Sequence, residues 1–104
     1  MIVGTMSELR SYAYVVRPPR TSFVEDGTPE EFAVVTKHFE YLQSLLAEGV
    51  LQFAGRCDDG EFGIVLFRAS DDAAAHAVME ADPAVSQGVF SAKLHPFRVA
   101  LWEG

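Results

Sequence analysis

Residues 50–67, Val50-Leu51-Gln52-Phe53-Ala54-Gly55-Arg56-Cys57-Asp58-Asp59-Gly60-Glu61-Phe62-Gly63-Ile64-Val65-Leu66-Phe67, decide the fold. Val50 to Ala54 reads as a strand, Arg56 to Gly60 is rich in turn-forming residues, and Phe62 to Phe67 is its antiparallel hairpin partner. In the second strand Ile64 and Leu66 point to one face while Val65 and Phe67 point to the other, so both faces are apolar. A central strand of this kind needs a cover on each side.

The segments on either side of the hairpin supply one cover. Before it, Thr28-Pro29-Glu30-Glu31 offers a capping hydroxyl, a proline suited to the first helical position and the acid of a capping box. The helix is expected to run to about Glu48, with Gly49 as its left-handed stop. Phe32, Val35, Phe39, Leu42 and Leu46 form its apolar stripe, and His38 falls about 75° from the centre of that stripe, on the flank near Leu45. After the hairpin, Ser70-Asp71-Asp72 opens a second, alanine-rich helix that continues through Met79 and ends near Asp82-Pro83. Asp82 then caps a short turn through Gln87, closed by Gly88.

The ends of the chain are read as strands. Leu9 to Val16 carries Tyr12, Tyr14, Val15 and Val16 and stops before Pro18-Pro19, after which Arg20 to Gly27 forms a polar loop. Ser91 to Trp102 is expected to be extended, with Phe97, Val99 and Leu101 on one face. The order strand, helix, strand, strand, helix, strand is the ferredoxin-like βαββαβ arrangement of an α+β protein. Right-handed crossovers place both helices on one sheet face. The other face then lacks a cover from its own chain, and a homodimer closed by sheet-to-sheet packing is expected.

Composition bounds the rest. At 104 residues, 49% hydrophobic and 22% charged, the chain makes a single domain over 1–104, in which residues 1–7 show no structural pattern. Eight Lys and Arg against fifteen Asp and Glu give a formal charge of −7, which argues against a nucleic-acid partner. No apolar run is long enough for a bilayer, Met1 to Met6 does not resemble a signal peptide, and the lone Cys57 fits a reducing compartment, so a cytoplasmic protein without a membrane partner is expected.

Phosphate-binding, zinc-peptidase and nucleophile-elbow motifs are absent. His38, His76 and His95 share no metal-ligand spacing, and neither a metal nor a cofactor is expected. His38 is the strongest candidate, because imidazole as a side-chain type serves as acid or base and a place beside an apolar stripe is expected to keep it partly desolvated; the plainer use of such a residue is a hydrogen bond to backbone. Asp82 is the matching carboxylate at the end of the second helix, although capping alone also accounts for an Asp-Pro pair. Arg10, Tyr12 and Tyr14 on strand one can orient an anionic or phenolic ligand, or the tyrosines can pack at a dimer interface. Asp58 and Asp59 oppose thiolate formation at Cys57, and His76 and His95 read as surface residues.

His38-Phe39-Glu40-Tyr41-Leu42, Leu45-Leu46-Ala47-Glu48-Gly49-Val50-Leu51, Ala54-Gly55, Asp82-Pro83, Gly88-Val89 and Pro96-Phe97 together resemble the YCII-related, or YciI-like, family. The order and spacing of these pieces carry the resemblance, which spans nearly all of the chain after strand one. It implies a ferredoxin-like subunit in a dimeric α+β barrel, with the helix-one histidine and the aspartate of the Asp-Pro motif, His38 and Asp82 here, as an active-site pair. The long Pro18-to-Gly27 connection and the short hairpin loop depart from the family pattern. The function expected is cofactor-independent proton transfer, of isomerase or lyase type, on a ring or enol-type small molecule. The alternative is a non-catalytic module of the same fold that binds a small ligand or a protein; fold alone does not choose between them.

Overall fold

The computed structural model describes residues 9–103. Its strands are β1 (Arg10–Arg17), β2 (Leu51–Arg56), β3 (Gly63–Ala69) and β4 (Ser91–Pro96); its helices are α1 (Phe23–Asp26), α2 (Pro29–Ala47), α3 (Asp72–Ala81) and α4 (Pro83–Ser86). They form a four-stranded sheet in the order β2-β3-β1-β4, antiparallel at every pair. The hairpin places β3 beside both β1 and β2, and each long helix carries the chain from one strand to the next, as the ferredoxin-like order requires.

Local sequence accounts for most boundaries. Thr28 and Glu31 close the capping box at the start of α2, and Gly49 at φ +78° ends its C-terminal turn. At α3 the cap is Asp71, whose carboxylate accepts from the Ala74 N–H, rather than the Ser70 hydroxyl. Asp82 caps α4 as expected, accepting from the Ala84 N–H at 2.9 Å.

Three expectations change. The Arg20–Gly27 segment is not an open loop: Phe23 is buried, its ring packs on Phe32 at 5.3 Å and Phe90 at 5.8 Å, and the anchored turn winds into α1. Arg20 pairs with Asp26 at 2.7 Å and Glu31 at 3.2 Å and ties α1 to the start of α2. The last strand stops at Pro96, which faces Tyr12. Beyond it the Phe97 N–H still reaches the Ser11 carbonyl at 3.0 Å, and the segment that follows is irregular. Finally, the buried face of α2 is built on Leu42 and Leu45 with His38 and Tyr41 beside them, whereas Phe39 and Leu46 are exposed. His38 therefore lies on the buried stripe and not on its flank.

The core sits between the sheet and the two long helices, where Tyr12, Tyr14, Val16, Val65 and Phe67 meet Leu42, Leu45, Ala75 and Met79. Pleating sends Ala13 and Leu66 to the opposite face. Both are nonetheless buried, and Trp102 from the C-terminal segment stacks on Phe53, the register partner of Leu66, at 6.2 Å. The chain thus contributes part of the cover that was expected from a partner.

Candidate active site

His38 and Asp82 lie on different crossovers, 44 residues apart with the β2–β3 hairpin between them, and the fold brings them into contact. His38 projects from the middle of α2, and Asp82 occupies the junction where α3 stops because Pro83 disfavours helical geometry at the residue before it. Nδ1 of His38 lies 2.7 Å from Oδ2 and 2.9 Å from Oδ1 of Asp82. The carboxylate is 0% exposed and also accepts from the Tyr14 hydroxyl at 2.8 Å and the Ala84 N–H at 2.9 Å. Since every other partner of this carboxylate is a donor, the hydrogen-bond network assigns the proton to Nδ1.

The rest of the imidazole ring has a different environment. Its side chain is 13% exposed and lines a cavity of about 680 Å³, within the range usual for small-ligand sites. Among the described residues no protein group bonds Nε2, so its lone pair is left to that cavity. Phe90 meets the ring edge-on at 5.5 Å and restricts its rotation. Phe39, Phe53 and Phe62 add apolar wall, and Thr21 and Phe23 come from the connection after β1. A histidine fixed by a buried carboxylate on one nitrogen and open on the other has the geometry of a general base or acid.

The sites read from the sequence lie as follows. His38 and Asp82 come together. Tyr12 and Tyr14 are buried beneath the helices and are not in the cavity wall; the Tyr12 hydroxyl donates to Asp72 at 2.8 Å and the Tyr14 hydroxyl to Asp82. They face the helices within their own chain, because the pleat puts Tyr12 and Tyr14 on the core side. Arg10 is exposed at the start of β1 and is likewise outside the cavity wall. His76 and His95 are exposed.

Tyr14 is the residue whose role the sequence missed. Burial first, and then the Asp82 charge, push its phenol far above the usual tyrosine range, which keeps it a neutral donor to the carboxylate. Tyr41 donates to the Val78 carbonyl at 2.7 Å and joins α2 to α3; burial raises its phenol to about 12. Alternation along β1 could have paired Tyr14 with the helix layer, but nothing local pointed to Asp82.

Among the described residues, no group of three or more His, Cys, Asp and Glu could hold a metal ion, and no helix is long and apolar enough to cross a membrane. The profile of the YCII-related domain matches residues 13–98, a span that contains both His38 and Asp82. The chain belongs to the YCII-related family. Its fold is similar to that of the 5-chloro-2-hydroxyhydroquinone dehydrochlorinase of Burkholderia phenoliruptrix AC1100, solved with 2,5-dihydroxybenzoquinone, at TM-score 0.60 and 18% identity over 84% of this chain and 93% of that one. It is also similar to muconolactone isomerase, at TM-score 0.66 and 14% identity over 90% and 95% of the two chains. At these identities the likeness is one of fold. No curated protein matches the sequence of this YCII-related chain.

Proposed function

We propose that this protein is a cofactor-independent enzyme that moves a proton on a ring or enol-type small molecule, with His38 as the proton carrier and Asp82 as the residue that positions and charges it. The observation that supports this reading is the division of the His38 ring between a buried carboxylate and an apolar cavity. Nε2 takes a proton from a carbon next to a carbonyl, the C–H electron pair becomes the new double bond of an enolate, and Asp82 stabilises the imidazolium. Return of that proton to another carbon gives an isomerisation; departure of a leaving group with its electron pair gives an elimination. Removal of HCl and isomerisation of a lactone, the reaction types named for the two structural neighbours, both have use for such a proton carrier.

The test is proton–deuterium exchange in D₂O, read by NMR on a panel of halogenated hydroquinones and unsaturated lactones. His38→Gln is expected to lower exchange and turnover by about 10²–10⁴-fold while the fold is retained. Equal rates in His38→Gln and the wild type on any substrate the protein turns over refute the reading.

A homodimer joined through the sheet faces is proposed alongside it, supported by exposed Phe53, Phe97, Leu101 and Trp102, of which Phe53 lies on the face away from the helices and Trp102 stacks on it. Sedimentation at micromolar concentration should give a dimer, and a monomer there ends the proposal. The same cavity could instead serve a non-catalytic binding module. Burial of Asp82 among three donors favours a structural contribution from that residue in either case.

A further inference from the structure

The wall around His38 has a charge pattern unlike that of the chain as a whole. Fifteen Asp and Glu stand against eight Lys and Arg in the sequence, yet among the described residues no carboxylate lines the cavity. Among the described residues its one permanent cation is Arg56. Arg56 faces Gly63 across the β2–β3 pair, and Gly63 faces Val16, a core residue beneath the helices. Alternation along β2 therefore sets Arg56, like Ala54, on the helix side of the sheet, the side from which His38 approaches.

The register also gives the spacing. Ala54 faces Val65, and Val65 faces Tyr14, whose hydroxyl holds Asp82. Arg56 is thus two residues further along the sheet and two strands across from Tyr14. A rise of about 3.3 Å per residue and a strand spacing of about 4.8 Å put their backbones about 12 Å apart. The cavity that Arg56 and His38 both line, about 680 Å³, has room for one substituted ring. Phe39, Phe62 and Phe90 supply apolar and aromatic wall for it.

The guanidinium is also uncommitted. Arg20 is held by Asp26 and Glu31, whereas Arg56 has no carboxylate partner among the described residues, and its one hydrogen bond is a 3.5 Å contact to the carbonyl of the adjacent Cys57. Arg17 lies over the Phe62 ring at 5.4 Å and adds a second positive charge behind that wall.

We infer that Arg56 is the anchor for an anionic oxygen, a carboxylate or phenolate carried by a planar ring, and that this anchoring presents the ring to Nε2 of His38. The second half rests on the proposed function; anion recognition rests on the cavity alone. Arginine suits the task, since its fork can give a planar oxyanion two parallel hydrogen bonds.

The test is an NMR titration of ¹⁵N-labelled protein with 4-hydroxybenzoate and with its neutral counterpart 4-hydroxybenzamide, on the wild type, Arg56→Gln and Arg56→Lys. The benzoate is expected to saturate the wild type at millimolar concentration or below, shifting the amides of Phe39, Phe53 and Phe62, and to bind Arg56→Gln about tenfold or more weakly. Arg56→Lys should fall between, and the benzamide should bind the wild type and Arg56→Gln alike. Equal binding of the benzoate by the wild type and Arg56→Gln overturns the inference, as does equal affinity of the wild type for the two probes. Absence of saturable shifts up to about 10 mM overturns it too. The two claims separate cleanly: Arg56-dependent binding with unimpaired turnover in His38→Gln removes only the proton-transfer reading, and the reverse pattern removes only the anchor.

Discussion

Replacing Asp82 by alanine and by asparagine should give opposite balances of stability and chemistry. Alanine removes the α4 cap, worth about 1 kcal/mol. It also strands the Tyr14 hydroxyl, inside a residue that is 0% exposed, at about 1–3 kcal/mol. The imidazole loses its counter-group as well, and breaking a buried pair typically costs about 3–5 kcal/mol in total. Because these contributions overlap and His38 keeps some contact with solvent, Asp82→Ala is expected to cost about 3–5 kcal/mol. Asparagine keeps an oxygen to accept from the Ala84 N–H and places its amide toward Tyr14 and His38, so its cost should be nearer about 1 kcal/mol. That amide is a donor. It turns Nδ1 into an acceptor, moves the proton to Nε2, and removes the lone pair that faces the cavity. Urea unfolding at one fixed protein concentration, with unchanged m values, measures the stabilities, and ¹⁵N shifts of the His38 ring in neutral protein report the tautomer. A cost below about 1 kcal/mol for Asp82→Ala would refute the network's energetic role. An Nε2 that stays pyridine-like in Asp82→Asn would refute the tautomer argument.

Two further outcomes test the surrounding structure. All three tyrosines are shifted up, Tyr12 by burial and then by the Asp72 hydrogen bond, Tyr14 and Tyr41 by burial and then by the Asp82 charge. Each ionises near pH 10 in the unfolded chain and later in the folded one, so their stabilisation is complete below about pH 10 and is lost as pH rises beyond it, by about 1.4 kcal/mol per pH unit for Tyr14. Tyrosinate absorbance should appear in one step together with loss of the far-ultraviolet dichroism, and independent ionisation near pH 10 with the dichroism intact would contradict the burial argument. At Gly60 the backbone has φ +80° and an added Cβ would stand 2.5 Å from the Thr21 carbonyl oxygen, whereas Gly49 at φ +78° has nothing within 4 Å of the corresponding position. Gly49→Ala should cost about 1 kcal/mol from the left-handed backbone alone, and Gly60→Ala about 1–3 kcal/mol more as the hairpin is pushed off the connection that helps to wall the cavity. Equal thermal shifts for the two variants would show that this contact is unimportant.

Where local chemistry is decisive, the sequence was legible. The capping box at Thr28–Glu31, the Gly49 stop, the Asp82-Pro83 junction and the hairpin around Gly60 each depend on residues within a few positions of one another, and together they dictate the βαββαβ order. The pairing of His38 with Asp82 was suggested by residue type and by the place of Asp82 at the end of the second helix and was strengthened by the family resemblance; only the fold brought the two into contact. What only the tertiary structure decided depends on which surfaces meet. Phe23 turned a polar stretch into α1 because Phe32 of the next helix and Phe90, distant in sequence, closed around it. The apolar stripe of α2 shifted because its Phe39 side borders a cavity while the Leu42–Leu45 side meets the sheet, and helical periodicity cannot tell a wall from a core. Tyr14 became the third member of the network, and Arg56 a cation on the His38 cavity, through strand register, which relates residues dozens of positions apart and leaves no trace in the spacing along the chain.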